Sequence, residues 1–95
     1  MSVIWKFELK PNEGDSMVAT IPMPAGAQVL TVQMQGVTPK IWALVDPAAP
    51  KTDRQFQVAG TGHPVNLRPG AKYLGTFQMN DGTFVFHVFE IGAQS

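Results

Sequence analysis

An Asp-Gly pair at Asp81-Gly82, set between two alternating apolar runs, constrains this chain more than any other feature. The flanking runs are residues 72–79 (KYLGTFQM) and 83–91 (TFVFHVFEI), joined by Asn80-Asp81-Gly82. Both central residues of a type I′ turn need positive φ, which Gly adopts freely and Asp tolerates, so the spacing predicts a β-hairpin. The second run is apolar on both sides. Phe84, Phe86 and Val88 share one side; Val85, Phe89 and Ile91 share the other, interrupted there only by His87. A strand that is greasy on both faces has to be covered on both, so residues 83–91 are expected at the centre of the fold.

The rest of the chain follows the same two-residue period. In residues 3–9 (VIWKFEL), Val3, Trp5, Phe7 and Leu9 share one face while Lys6 and Glu8 take the other, the pattern of a half-buried strand. A polar turn over residues 10–15 leads to a short strand at 16–22 (SMVATIP), with Met17, Ala19 and Ile21 on one face. Pro22 and Pro24 cannot donate to a ladder, which marks this strand as an edge. Residues 27–35 (AQVLTVQMQ) put Leu30, Val32 and Met34 inward and the glutamines outward. Residues 40–45 (KIWALV) read as a second strand buried on both faces, with Trp42 and Leu44 opposed to Ile41, Ala43 and Val45. A proline-stiffened connection at 46–53 precedes 54–59 (RQFQVA), where Phe56 and Val58 point inward.

Most of the prolines and glycines fall between these runs, and no apolar stripe of helical period survives three turns. The expected fold is a single all-β domain over residues 1–95, with about seven antiparallel strands in a small sandwich or partly open barrel.

Charge and composition exclude several partners. Seven Lys and Arg balance seven Asp and Glu, so nothing favours general nucleic-acid binding or an anionic membrane. The absence of Cys removes disulfides, thiolate metal sites and thiol nucleophiles together, and fits a reducing compartment. No run reaches the roughly 18 apolar residues of a membrane span, and the first residues turn charged too early for a signal peptide. A soluble, intracellular protein is expected.

Chemistry concentrates in residues 60–72 (GTGHPVNLRPGAK). Gly60 and Gly62 free the backbone for close approach, and glycine-containing loops can turn consecutive N–H groups toward an anion. Thr61 and His63 offer side-chain hydrogen bonds. Arg68 and Lys72, with Arg54 just upstream, supply positive charge, and Tyr73 is the aromatic nearest to them in sequence. The candidate ligand-binding set is therefore Arg54, Thr61, His63, Arg68, Lys72 and Tyr73, facing a small anionic ligand such as a nucleotide. The loop lacks the G-x-x-x-x-G-K-[ST] spacing of a P-loop, and its glycines would equally serve a tight turn at a strand end.

Catalysis finds less support. As a metal pair His63 and His87 lie far apart in sequence, and Asp46, Asp53, Asp81 or Glu90 would complete a site only by an accident of folding, so no metal or cofactor is expected. His87, between Val85 and Phe89, reads as a hydrogen-bonded structural histidine. Serines at 2, 16 and 95 lie in no G-x-S-x-G elbow, and Asp46 and Asp53 read as turn and surface residues. No nucleophile–base–orienter set is visible, so no catalytic residues are assigned and an enzyme is not expected.

The blocks IWKF, WALVDP, GTGHPV, YLGTF and FHVFE, spread over nearly the whole chain, resemble a family of small proteins encoded by tailed phages and prophages. That resemblance implies origin and carries no site residues. The function it suggests is a non-catalytic binding protein of the host cytoplasm, occupying a host protein or sequestering a small anionic ligand, as in counter-defence or host takeover. A small structural or assembly protein of the phage particle and a small phosphate-ligand enzyme are the alternatives. Self-association into a homo-oligomer is expected, because small β domains often cover their strand edges that way.

Overall fold

The computed structural model describes residues 1–14 and 17–92. Asp15, Ser16 and Ser95, read above as turn, strand start and isolated serine, lie outside the described residues. Seven strands run in order among the described residues: β1 Val3–Glu8, β2 Val18–Pro24, β3 Gln28–Gln35, β4 Thr38–Val45, β5 Lys51–Gly60, β6 Lys72–Met79 and β7 Phe84–Ile91. They form a three-stranded sheet, β1-β4-β3, and a four-stranded sheet, β2-β5-β7-β6, with every pairing antiparallel. The sheets do not close on one another, so of the two expected architectures the chain adopts the sandwich.

The core lies between the two inner faces. Ile41, Ala43, Val45 and Val32 come from the first sheet; Ala19, Ile21, Met23, Phe56, Phe77 and Val88 come from the second. Phe56, Met23, Ile41, Ala43 and Val88 are wholly removed from solvent. Each large apolar side chain buried this way stabilises the fold by about 1.5–3 kcal/mol.

β7 sits inside its sheet, between β5 and β6, as its composition required. The hairpin that places it closes on Asn80-Asp81-Gly82-Thr83. The Thr83 N–H donates to Asn80 O at 3.0 Å, and the two central residues have φ of 54° and 87°. Those signs are what a type I′ turn demands of an Asp-Gly pair.

Four expectations need correction. β7 is not covered on both faces: Val85, His87 and Phe89 are only half-buried on the outer side, and Phe84 is 50% exposed. The sheet is one of two layers, so its outer face meets solvent and the crossover 61–71, which links β5 to β6. β4 is likewise buried on one side only. Ile41, Ala43 and Val45 are in the core, whereas Trp42 and Leu44 are half-exposed beside the glutamines of β3. In β3 the inward set is Val29, Val32 and Met34, because the register shifts between Val29 and Thr31 and a bulge expels Leu30, which is 45% exposed. A bulge spends one residue out of phase, so alternation read across it inverts. The expected connection 46–53 is also shorter, since β5 begins at Lys51.

Phe56 is the largest fully buried side chain and pairs directly with Ala19 on one neighbour and Glu90 on the other. Phe56→Ala should cost about 3–5 kcal/mol. Urea unfolding should show this as a lowered midpoint with little change in slope; an unchanged midpoint would contradict the central place given to this ring.

Candidate functional site

The outer face of the four-stranded sheet carries the most organised polar group of the molecule. β5 pairs with β7 so that Ala59 meets His87, and β6 pairs with β7 so that Thr76 meets His87 from the other side. The Thr61 N–H bonds to Val85 O at 3.0 Å, which carries the β5 ladder one residue past Gly60 and turns Thr61 outward beside His87. A hydrogen-bonded row results. Thr61 Oγ1 lies 2.7 Å from His87 Nε2, Thr76 Oγ1 lies 3.1 Å from His87 Nδ1, and the Tyr73 hydroxyl bonds Thr76 Oγ1.

Tyr73 and Thr76 reach the same face only through a bulge. They stand three residues apart, a spacing that alternation would send to opposite faces. The β6–β7 register shifts between Tyr73 and Gly75, so both end outward. The Tyr73 ring then meets Phe89 edge-on, with centroids 5.5 Å apart, while remaining 54% exposed.

One direction of donation uses every contact in the row. Thr61 Oγ1 also lies 3.3 Å from Val85 O, a carbonyl that can only accept. If Thr61 donates there, His87 Nε2–H donates to Thr61, Nδ1 accepts from Thr76, and Thr76 accepts from Tyr73. The imidazole is then the Nε2–H tautomer with both nitrogens engaged. In this arrangement Thr61 receives a proton contact from the histidine and gives its own to the backbone, the reverse of an activated nucleophile. The orienting position at Nδ1 holds a neutral hydroxyl, where a triad would place a carboxylate.

Of the candidate residues, Thr61 and Tyr73 join this row; the others go elsewhere. Arg54 lies on the opposite, inward face, since it pairs across from Ile21. Its Nε and Nη2 grip Glu90 at 2.5 and 3.0 Å, and Nη1 donates to Ala27 O at 2.9 Å. The hydrogen bond to Glu90 raises Arg54 above its ordinary pKa; burial opposes that rise and the attraction of the carboxylate charge adds to it. Arg68 Nη1 donates to Gln55 Oε1 at 3.0 Å and to Gly92 O at 2.6 Å, which with the Gln57–Asn66 contact straps the crossover along the outer face. Ala59 and Ile91 are buried on that side. Lys72 is exposed at the start of β6, across from Glu90.

His63 closes a turn with its N–H on Gly60 O at 3.1 Å, and Gly62, at φ +83°, supplies the left-handed residue the turn needs. Beside it lies an open hollow of about 640 Å³ lined by Gly60, Thr61, His63, Thr83, Phe84, Val85 and Phe86. The hollow therefore adjoins the row at Thr61. No group of three or more His, Asp or Glu is placed to hold a metal ion among the described residues.

Thr76 is absent from the candidate set read from the sequence, and His87 is expected there as a hydrogen-bonded structural histidine with no partner named. The signal was present. A two-residue turn centred on Asp81-Gly82 sets Met79 opposite Phe84 and hence Thr76 opposite His87. The bulge that adds Tyr73 had no comparable signature.

Fold and site together define a small two-layer antiparallel β-sandwich whose one outer face bears an aromatic and hydroxyl-rich patch. The chain belongs to the family described as Domain of unknown function (DUF7352), whose model matches residues 1–95. No curated protein and no solved structure matches it.

Two measurements check the geometry. Nitrogen chemical shifts of His87 should report the Nε2–H tautomer, and a dominant Nδ1–H form would reverse the row. Glu90→Ala should destabilise the fold by about 1.5–3 kcal/mol, the range for hydrogen bonds to charged groups, because it strands a guanidinium about one-fifth exposed. Replacing both Arg54 and Glu90 by Met should cost less than that single change. Thermal unfolding of the variants decides this.

Proposed function

We propose that this protein is a non-catalytic binding module of a tailed phage or prophage that occupies a host protein in the cytoplasm, using the outer face of its four-stranded sheet. The observation that carries the reading is the Tyr73–Thr76–His87–Thr61 row on the outer face, beside the part that the crossover covers. Side chains already fixed by one another lose little freedom on binding, so more of the contact energy appears as affinity. An exposed tyrosine whose ring is steadied by Phe89 is a typical anchor, offering wide apolar contact and one polar tip.

A protein partner is favoured over a small anionic ligand by the fate of the cations. Arg54 is ion-paired with Glu90 on the inward face, and Arg68 keeps its charge but is held through Nη1 on the Gln55 and Gly92 oxygens, so neither guanidinium stands in the row. A phosphate-ligand enzyme would need those same cations and a carboxylate near His87, whose ring nitrogens meet hydroxyls instead.

The test compares proteins that co-purify with the wild-type chain and with three variants expressed in a phage host. Tyr73→Ala and His87→Ala alter the proposed face; Gln33→Ala alters the outer face of the other sheet. One host protein should be retained by the wild type and Gln33→Ala and weakened about tenfold or more by Tyr73→Ala, equivalent to about 1.4 kcal/mol. Equal recovery by every variant, or recovery of a nucleotide in place of a protein, would defeat the reading.

A further inference from the structure

The four sheet edges are not equally protected. β2 carries Pro22 and Pro24, which cannot donate to an added strand. β3 is bulged at Leu30 and β6 at Leu74, and a bulge twists an edge away from flat pairing. β1 has none of these devices. It pairs with β4 without interruption from Val3 to Glu8 and contains no proline.

The direction of its free hydrogen-bonding groups follows from one contact. The Leu9 N–H donates to Pro39 O at 3.0 Å, so the odd-numbered residues of β1 turn their backbone groups toward β4. Ile4, Lys6 and Glu8 therefore present theirs to the open side. Lysine on an edge normally guards it. Lys6 does not, because its Nζ reaches across the outer face to Gln35 Oε1 on β3 at 2.8 Å. Ile4, 60% exposed, and Trp5, 36% exposed, are left at the edge.

We propose that β1 is a dimerisation edge, pairing antiparallel with β1 of a second copy about a two-fold axis at Trp5. Directly opposed residues of antiparallel strands share a face, which restricts a symmetric pairing to axes through a residue. An axis at Lys6 sets two lysines against each other, and like charges directly opposed are destabilising. An axis at Ile4 pairs only residues 3–5 of the strand, and one at Phe7 only residues 6–8. The axis at Trp5 sets Val3 against Phe7 of the second copy, Ile4 against its Lys6, and the two Trp5 side chains against each other. Ile4 and Lys6 are then the residues that exchange backbone hydrogen bonds, as their outward groups require. The arrangement gives the expected self-association a surface, and it stands apart from the host-protein reading.

The chain has no cysteine, which makes cross-linking selective. Trp5 faces its copy as a non-hydrogen-bonded pair, with Cα atoms about 4.5 Å apart, within disulfide range. Trp5→Cys should form a covalent dimer on mild oxidation, and Gln33→Cys should not. Sedimentation of the wild type should show a dimer of the 10.3 kDa chain. Ile4→Pro removes an outward donor and leaves the bond to β4 intact, so it should weaken that dimer at least tenfold with the fold retained. A wild type that is monomeric at every concentration overturns the proposal. So does a dimer that Trp5→Cys captures no better than Gln33→Cys, a readout that decides the matter should Ile4→Pro fail to fold.

Discussion

Everything that faces outward on the four-stranded sheet is set by what Phe56 and Val88 do inward. Both are fully buried and sit on neighbouring strands, against a layer supplied by Ile41 and Ala43. With a side-chain period of two, burying Phe56 and Val88 forces Ala59, Val85, His87 and Phe89 to the opposite side. The candidate site is thus the reverse of the core. His87 is held in place less by its own partners than by the cost of turning Val88 into water.

Within that frame, two bulges decide which details alternation could reveal. The sandwich, the hairpin, the edge position of β2 and the inward rows of β1 and β5 all keep a strict period of two, and their residues announce them. Leu30 and Leu74 break that period with nothing in their immediate sequence to mark the break. At Leu30 the consequence is a misassigned inward residue. At Leu74 it is the site itself, since Tyr73 and Thr76 share a face only because one residue is spent between them. Gly75 lies at this point against Val32 of β3, where an added Cβ would sit in ordinary van der Waals contact. Two-sided burial failed for a different reason. Apolar residues on both faces of β4 and β7 say that water is unfavourable there, but two layers can cover only one face of each sheet.

Charge was the least legible property, because residue counts do not say which charges are already paired. Arg54 looked like a cation beside a glycine-containing loop. Its strand places it on the inward face, where Glu90 takes Nε and Nη2 and the Ala27 carbonyl takes Nη1. Arg68 does remain with the loop, yet it binds Gln55 and the Gly92 carbonyl and holds the crossover down. Both arginines serve the scaffold. The row itself is built from hydroxyls, an imidazole and an aromatic ring, with neither arginine in it.

The proposed edge and the proposed face belong to different sheets, and this separation has a geometric consequence. A two-fold axis perpendicular to the sheet keeps both copies the same way up. Pairing through β1 extends the three-stranded layer sideways and leaves both four-stranded sheets on one side of it. The two His87-centred faces then point in the same direction, and neither is covered. A dimer of this kind would present a duplicated surface to whatever it meets, so that a partner with repeated subunits could engage both at once. The gain in avidity would come from the spacing alone, with no contact added at either face.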